Sequence, residues 1–218
     1  MTNEMHNTQS YPPPPWYLQG YGFLTIQLLD IDKISSYIPV ALDIVPILPG
    51  KTLGGLYVAT YQSESTLLYN ELIVMSAIVR HKTQIGAWIS HIYVDHPGSV
   101  AGGRDIWGLP KEMAQFDWEG DRSIVHIRQD GKLLCVLKRQ WLLPGWTQPM
   151  AGSVFSELDG KLQIFTAKAE LKWHLAGLEV EVPSASPFAA LGFGSVWGSF
   201  YFNPMQGTVQ APVPLASQ

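Results

Sequence analysis

The chain has 218 residues, 46% of them hydrophobic and only 15% charged, with a formal net charge of −4. That length suits one large domain, and an acidic balance with no run of Lys or Arg excludes the clustered basic face of a nucleic-acid binder. Eight Trp, nine Tyr and eight Phe provide for a large core, an apolar pocket or both, and the low charge points to further area hidden in a homo-oligomer.

Residues 1–15 are polar and then run Pro12-Pro13-Pro14-Pro15, which fits neither a helix nor a central strand and reads as a flexible Pro-rich tail. A single domain over 16–210 and a second tail over 211–218 follow. Glu4 and the lack of an apolar leader argue against a secretory signal. No apolar stretch reaches the roughly 18–20 residues of a membrane helix. Asp30 or Asp32 is placed to cap a short helix through Tyr37, ended by Pro39. Residues 55–61 and 72–79 are apolar on both faces and predict covered central strands, and 85–94 a further long strand. A second short helix is expected over 99–106 or after Pro110. The stretches 124–127 and 133–137 join at Asp130-Gly131, and 154–158 and 162–166 at Asp159-Gly160, both hairpin signals. Residues 169–175 and 178–182 alternate apolar with polar. The sum is an α+β domain, mainly antiparallel β, curved into a barrel or cone.

The single cysteine, Cys135, excludes an internal disulfide and reads as a small buried apolar residue in a reducing, cytoplasmic setting. The histidines make no metal-ligand pattern, no Gly-x-Ser-x-Gly elbow is present, and Gly102, Gly103 and Gly108, read as tight-turn residues, lack the spacing of a phosphate loop. No cofactor is expected.

The chemistry points to residues 102–114, Gly-Gly-Arg-Asp-Ile-Trp-Gly-Leu-Pro-Lys-Glu-Met-Ala. Lys111 stands there among apolar neighbours. Burial disfavours an ammonium and frees an amine that can attack a carbonyl and form a Schiff base. Glu71, on a strand face with Ile73, Met75, Ala77 and Val79, is either a solvated strand end or a buried proton carrier. Arg104 is read as holding the lysine loop or an anionic substrate. Trp107 and Met113 are candidates for the pocket wall, and Glu112 and Tyr57 for positioning the substrate or the loop.

The stretch from Gly103 to Lys111 resembles the lysine loop of the acetoacetate decarboxylase superfamily, roughly Gly-Arg-Glu-x-x-x-x-Pro-Lys-Lys. Tyr69-x-Glu71, Tyr93-x-Asp95 and Pro39 match further points, and the likeness is good over about 16–118. The resemblance implies a cone-like β-barrel with an apolar interior and a few short helices, in oligomers. It implies Lys111 as the Schiff-base amine and Glu71 as the pocket carboxylate beside it; lysine activation by desolvation or a neighbouring cation is the established pattern of this family. The chain departs from the decarboxylases at three points. Glu112 replaces the second lysine of the loop, no basic residue lies between Trp16 and Leu29 where Gly20 falls at the position of a pocket arginine, and Tyr57 falls at a second pocket carboxylate. Lys51-Thr52-Leu53-Gly54-Gly55-Leu56, residues 70–74 and Gly108-Leu109-Pro110 also resemble a plant plastid branch associated with neoxanthin, whose loop lacks the lysine.

Two functions follow as expectations. One is a lyase acting on a small keto acid or ketone through a Schiff base at Lys111. The other is a non-catalytic binder of an apolar ligand, carotenoid or isoprenoid, on the same fold.

Overall fold

Apolar residues recurring at period two, with hairpin turns between them, make strands, and strands dominate the computed structural model, which describes residues 11–194 and 196–215. In chain order the elements are β1 (Trp16–Asp30), α1 (Ile31–Ile34) running into a 3-10 turn (Ser35–Tyr37), β2 (Asp43–Ile44), β3 (Lys51–Tyr61), β4 (Tyr69–His81), β5 (Gln84–Val94), α2 (Pro97–Asp105), β6 (Lys111–Met113), β7 (Gln115–Glu119), β8 (Ile124–Gln129), β9 (Lys132–Leu142), β10 (Trp146–Leu158), β11 (Lys161–Glu181), a second 3-10 turn (Ala189–Leu191), β12 (Val196–Val209) and β13 (Val213–Pro214). The strands follow the order β10-β5-β4-β3-β1-β12-β11-β9-β8-β7, and a β10–β11 pairing closes the first part into a ring. Most ladders are antiparallel, but β5 pairs in parallel with both β10 and β6.

Both expected hairpins form. Asp130-Gly131 and Asp159-Gly160 take positive φ at both positions, as a tight two-residue turn requires. The two alternating runs over 169–175 and 178–182 belong to one strand, β11, whose register shifts between Gly177 and Leu178. Its first half pairs with β10 and its second half with β9, so it ties the ring to the outer strands β7–β9. Helix α1 starts after Asp30, but the Asp30 side chain makes no cap and binds Lys51 instead. Residues after Pro110 form strand β6, not a helix. The N-terminal segment is held where it is described: the Tyr11 hydroxyl donates to Asp105, and Trp16 Nε1 donates to the Pro12 carbonyl. Near the other end, β13 pairs with β11. No helix among the described residues is long and apolar enough to cross a membrane.

The doubly apolar strands separate two cores. Leu56, Val58, Leu72 and Val74 point outward and pack with Val125, Ile127 and Leu134 of β8 and β9; full burial of each contributes about 1.5–3 kcal/mol. Their neighbours Tyr57, Tyr61, Tyr69, Glu71, Ile73 and Met75 point into the ring. Glu71 keeps Ile73 and Met75 on its face as expected, but Ala77 and Val79 belong to the outer core. An extra residue on β4 between Met75 and Ala77 is the cause, because a bulge reverses the facing of every residue beyond it. Cys135 is fully buried in the same outer core, and burial pushes its thiol well above the usual range.

Candidate active site

A cavity of about 380 Å³ lies inside the ring. Its wall is built by β-strand residues such as Leu18, Ile73, Ile89, Val154, Leu171 and Phe202, and by Tyr57 and Trp107. Two charged side chains reach into it together. Lys111 is 4% exposed and Glu71 likewise 4%, and Lys111 Nζ lies 2.7 Å from Glu71 Oε1.

The local sequence delivers the lysine from a short strap. Helix α2 ends at Asp105, and the Gly108 N–H donates to Arg104 O and the Leu109 N–H to Gly103 O. Gly108 carries φ +59°, and a Cβ there would meet Glu157 O at 2.3 Å. Among the three glycines expected to make turns, only this one does. Gly102 and Gly103 are helical and make room instead: a Cβ on Gly102 would strike the Trp16 ring, and one on Gly103 the Lys111 stem. After Pro110 the chain pairs with β5, Lys111 opposite Ile92, and the lysine enters the ring while its stem lies across α2.

Every polar atom of the pair has a partner, which offsets the cost of burying charge. Nζ also donates to Ser99 Oγ at 3.0 Å, and the Tyr61 hydroxyl donates to Glu71 Oε2 at 2.9 Å. The Nζ sits 5.1 Å from the Tyr69 ring centre and 5.8 Å from that of Trp16, both within cation–π range. The phenols of Tyr57, Tyr61 and Tyr69 are all held above their usual range, first by burial and, for Tyr61 and Tyr69, next by the nearby Glu71 charge. They are therefore donors and not bases at ordinary pH.

The other sequence-predicted residues divide. Tyr57 and Trp107 line the cavity; Tyr57 donates to Met205 Sδ at 3.3 Å, and Trp107 Nε1 donates to the Gln210 carbonyl at 2.9 Å. Arg104 does not line it. Its Nε donates to the Lys111 carbonyl at 2.7 Å, so it grips the strap. Glu112 and Met113 lie outside the cavity. Consecutive strand residues face opposite ways, and Glu112 accepts from the Gln129 amide at 2.7 Å. Met113 is 46% exposed, with its carbonyl held by the same amide. Gly20 is required by the fold, since a Cβ there would lie 1.9 Å from Thr60 O. No group of three or more metal-capable side chains forms among the described residues. His96 instead caps α2 by accepting from the Gly98 N–H.

Ser99, Tyr61 and Trp16 were not singled out from sequence. Tyr61 carries a usable signal, because Tyr57, Ala59 and Tyr61 alternate on one strand face. Ser99 carries none, since a serine in a short helix is ordinary.

Residues 2–142 match the family model described as Acetoacetate decarboxylase (ADC). The tomato (Solanum lycopersicum) Protein NEOXANTHIN-DEFICIENT 1 is 28% identical over 106 residues, 49% of this chain and 36% of that protein. The chain thus spans little more than a third of the length of that relative. Acetoacetate decarboxylase 3 of Mesorhizobium japonicum is 37% identical over 59 residues, 26% of this chain and 23% of that one. Among solved structures, acetoacetate decarboxylase from Legionella pneumophila superposes with a TM-score of 0.76 at 16% identity, covering 94% of this chain and 89% of that one; it is similar in fold.

Proposed function

Since this chain belongs to the acetoacetate decarboxylase family, we propose that Lys111 forms a Schiff base with a carbonyl compound, keto acid or ketone, admitted to the ring cavity, and that the protein is a lyase acting through that intermediate. One observation carries the reading: the Lys111 amine lies inside an apolar cavity, 2.7 Å from the Glu71 carboxylate. Passing the bridging proton from Nζ to Oε1 removes both buried charges and leaves a neutral amine, the form that attacks a carbonyl. The resulting iminium draws electrons from the next carbon, so a bond there breaks more easily. Glu71 is the base in reach of that carbon's proton. Tyr61 holds the second carboxylate oxygen, and Ser99 and Arg104 position the amine and its strap.

Borohydride reduction in the presence of small ketones and keto acids tests this by intact mass. The expected result is a ligand-sized increment on the wild-type protein and none on Lys111→Ala. No increment with any carbonyl compound sinks the proposal.

The apolar wall favours a second reading, a container for an apolar ligand without chemistry. Such a container binds its ligand with equal affinity in wild type and Lys111→Ala and gives no reducible adduct. Self-association is part of the proposal too: exposed Trp141, Trp146 and Trp197 on β9, β10 and β12 supply apolar surface for it, and light scattering on the purified chain reads it.

A further inference from the structure

We infer that the substrate of this cavity is an uncharged ketone or aldehyde carrying an apolar chain, and not a keto acid. The inference rests on the Schiff-base proposal and narrows it.

The argument is a charge balance. Lys111 and Glu71 face the cavity and are closed on each other, so the interior as built carries no surplus cation. Lys168 also borders the cavity, but Phe165, Ala167, Ala169 and Leu171 are the inward set of β11, and strand alternation turns Lys168 to the outer side. Arg104 is spent on the Lys111 carbonyl outside the cavity. Gly20 cannot be replaced by any larger residue, because Thr60 O occupies the space of its Cβ.

A keto acid would bring a carboxylate into this wall with no cation to pair with it, only neutral donors such as the Tyr57 and Tyr69 hydroxyls, a costly burial. An uncharged carbonyl compound keeps the site neutral at each stage. The bridging proton moves to Glu71, and the amine lone pair bonds to the carbonyl carbon. The carbonyl oxygen then leaves as water, with one hydrogen from the amine and the proton from Glu71. The product is an iminium, charge +1, facing the Glu71 carboxylate, charge −1. The charge count is the same as in the resting ion pair. The cavity of about 380 Å³ takes about a dozen water-sized groups, which suits a chain of medium length lying along Ile73, Ile89, Leu171 and Phe202.

Methyl hexyl ketone and α-ketooctanoate have equal carbon counts and differ in the carboxylate. Each is incubated with the full chain and borohydride, and adduct at Lys111 is counted by mass against Lys111→Ala. The expected result is half-maximal trapping at about tenfold or more lower concentration for the ketone, the cost of the unpaired carboxylate. Trapping of the keto acid at equal or lower concentration overturns the inference and leaves the Schiff base standing. No adduct with either compound overturns the inference, and the Schiff base falls with it only when small ketones and keto acids give no adduct either. Glu71→Gln supplies an independent arm. It leaves the Lys111 cation unbalanced, so the ratio of keto-acid to ketone trapping is expected to rise, and an unchanged ratio counts against the charge argument.

Discussion

The Lys111 side chain crosses α2 where Gly103 has no side chain: a Cβ on Gly103 would lie 2.4 Å from Lys111 Cδ and 2.8 Å from Cε. The helix and the lysine occupy adjoining space only because position 103 is empty. Two anchors, Glu71 and Ser99, then fix the amine.

Gly103→Ala is expected to separate fold from chemistry. Alanine favours a helix over glycine by about 1 kcal/mol, which offsets the strain of the crowded stem, so urea denaturation should change little. The stem must shift, however, and a misplacement of about 1 Å at a reacting group costs about 100-fold. Borohydride trapping of a small ketone should slow by at least about tenfold. An unchanged rate would mean that the lysine reaches the same place by another route.

The ion pair predicts non-additive stability. Lys111→Met leaves the Glu71 carboxylate buried with Tyr61 as its remaining donor, and Glu71→Leu leaves the ammonium with Ser99. Each single change is expected to cost about 3–5 kcal/mol, as for other broken buried pairs. The double variant Lys111→Met/Glu71→Leu should recover most of the loss, because an apolar wall already surrounds both positions. Denaturation of the four proteins gives the coupling directly, and simple additivity would contradict a closed buried pair.

Much of this site was legible in the sequence, for identifiable reasons. Lys111 and Glu71 stood out because charged residues are rare in apolar stretches, and the spacing of the loop resembled a known family. The strands were legible because both faces of 55–61 and 72–79 were apolar, which the two cores explain. Glu112 and Met113 were expected near the substrate from nearness in sequence, yet strand alternation turns Glu112 outward to the Gln129 amide, and Met113 lies exposed beyond the cavity with its carbonyl held by that amide. The facing of Ala77 and Val79 was misread because a single bulge on β4 has no sequence signature. The roles of Ser99 and Gly103 depend on how α2 packs against β6, a tertiary contact that local pattern does not encode.

Alkaline pH should destabilise the fold through the buried phenols. Tyr57, Tyr61, Tyr69 and Tyr93 are all raised above the ordinary tyrosine range, burial being the first cause. The unfolded chain releases these protons near pH 10, while the folded chain keeps them. The unfolded state therefore binds fewer protons, and stability, complete below that pH, falls as pH rises through it. The share of the phenolate absorbance that these four rings supply is expected to rise in one late, cooperative step that coincides with loss of circular dichroism. A gradual titration of all nine tyrosines with the fold intact would contradict the burial of these rings.

Arg104 distinguishes a strap from a substrate clamp. Its Nε donates to the Lys111 carbonyl, and it has no place on the cavity wall. Replacing it with alanine frees the backbone that carries the lysine, so the trapping rates of a ketone and of the matching keto acid should fall by the same factor, a few-fold to about tenfold. Arg104→Lys should recover little, because an ammonium lacks the planar Nε donor that fits this carbonyl. A guanidinium that bound substrate would behave otherwise: its loss would weaken the keto acid and spare the ketone. The ratio of the two rates in wild type and Arg104→Ala is the measurement. A constant ratio assigns Arg104 to the backbone of the strap, and a drop confined to the keto acid would move it into the binding site and undo the charge balance of the cavity.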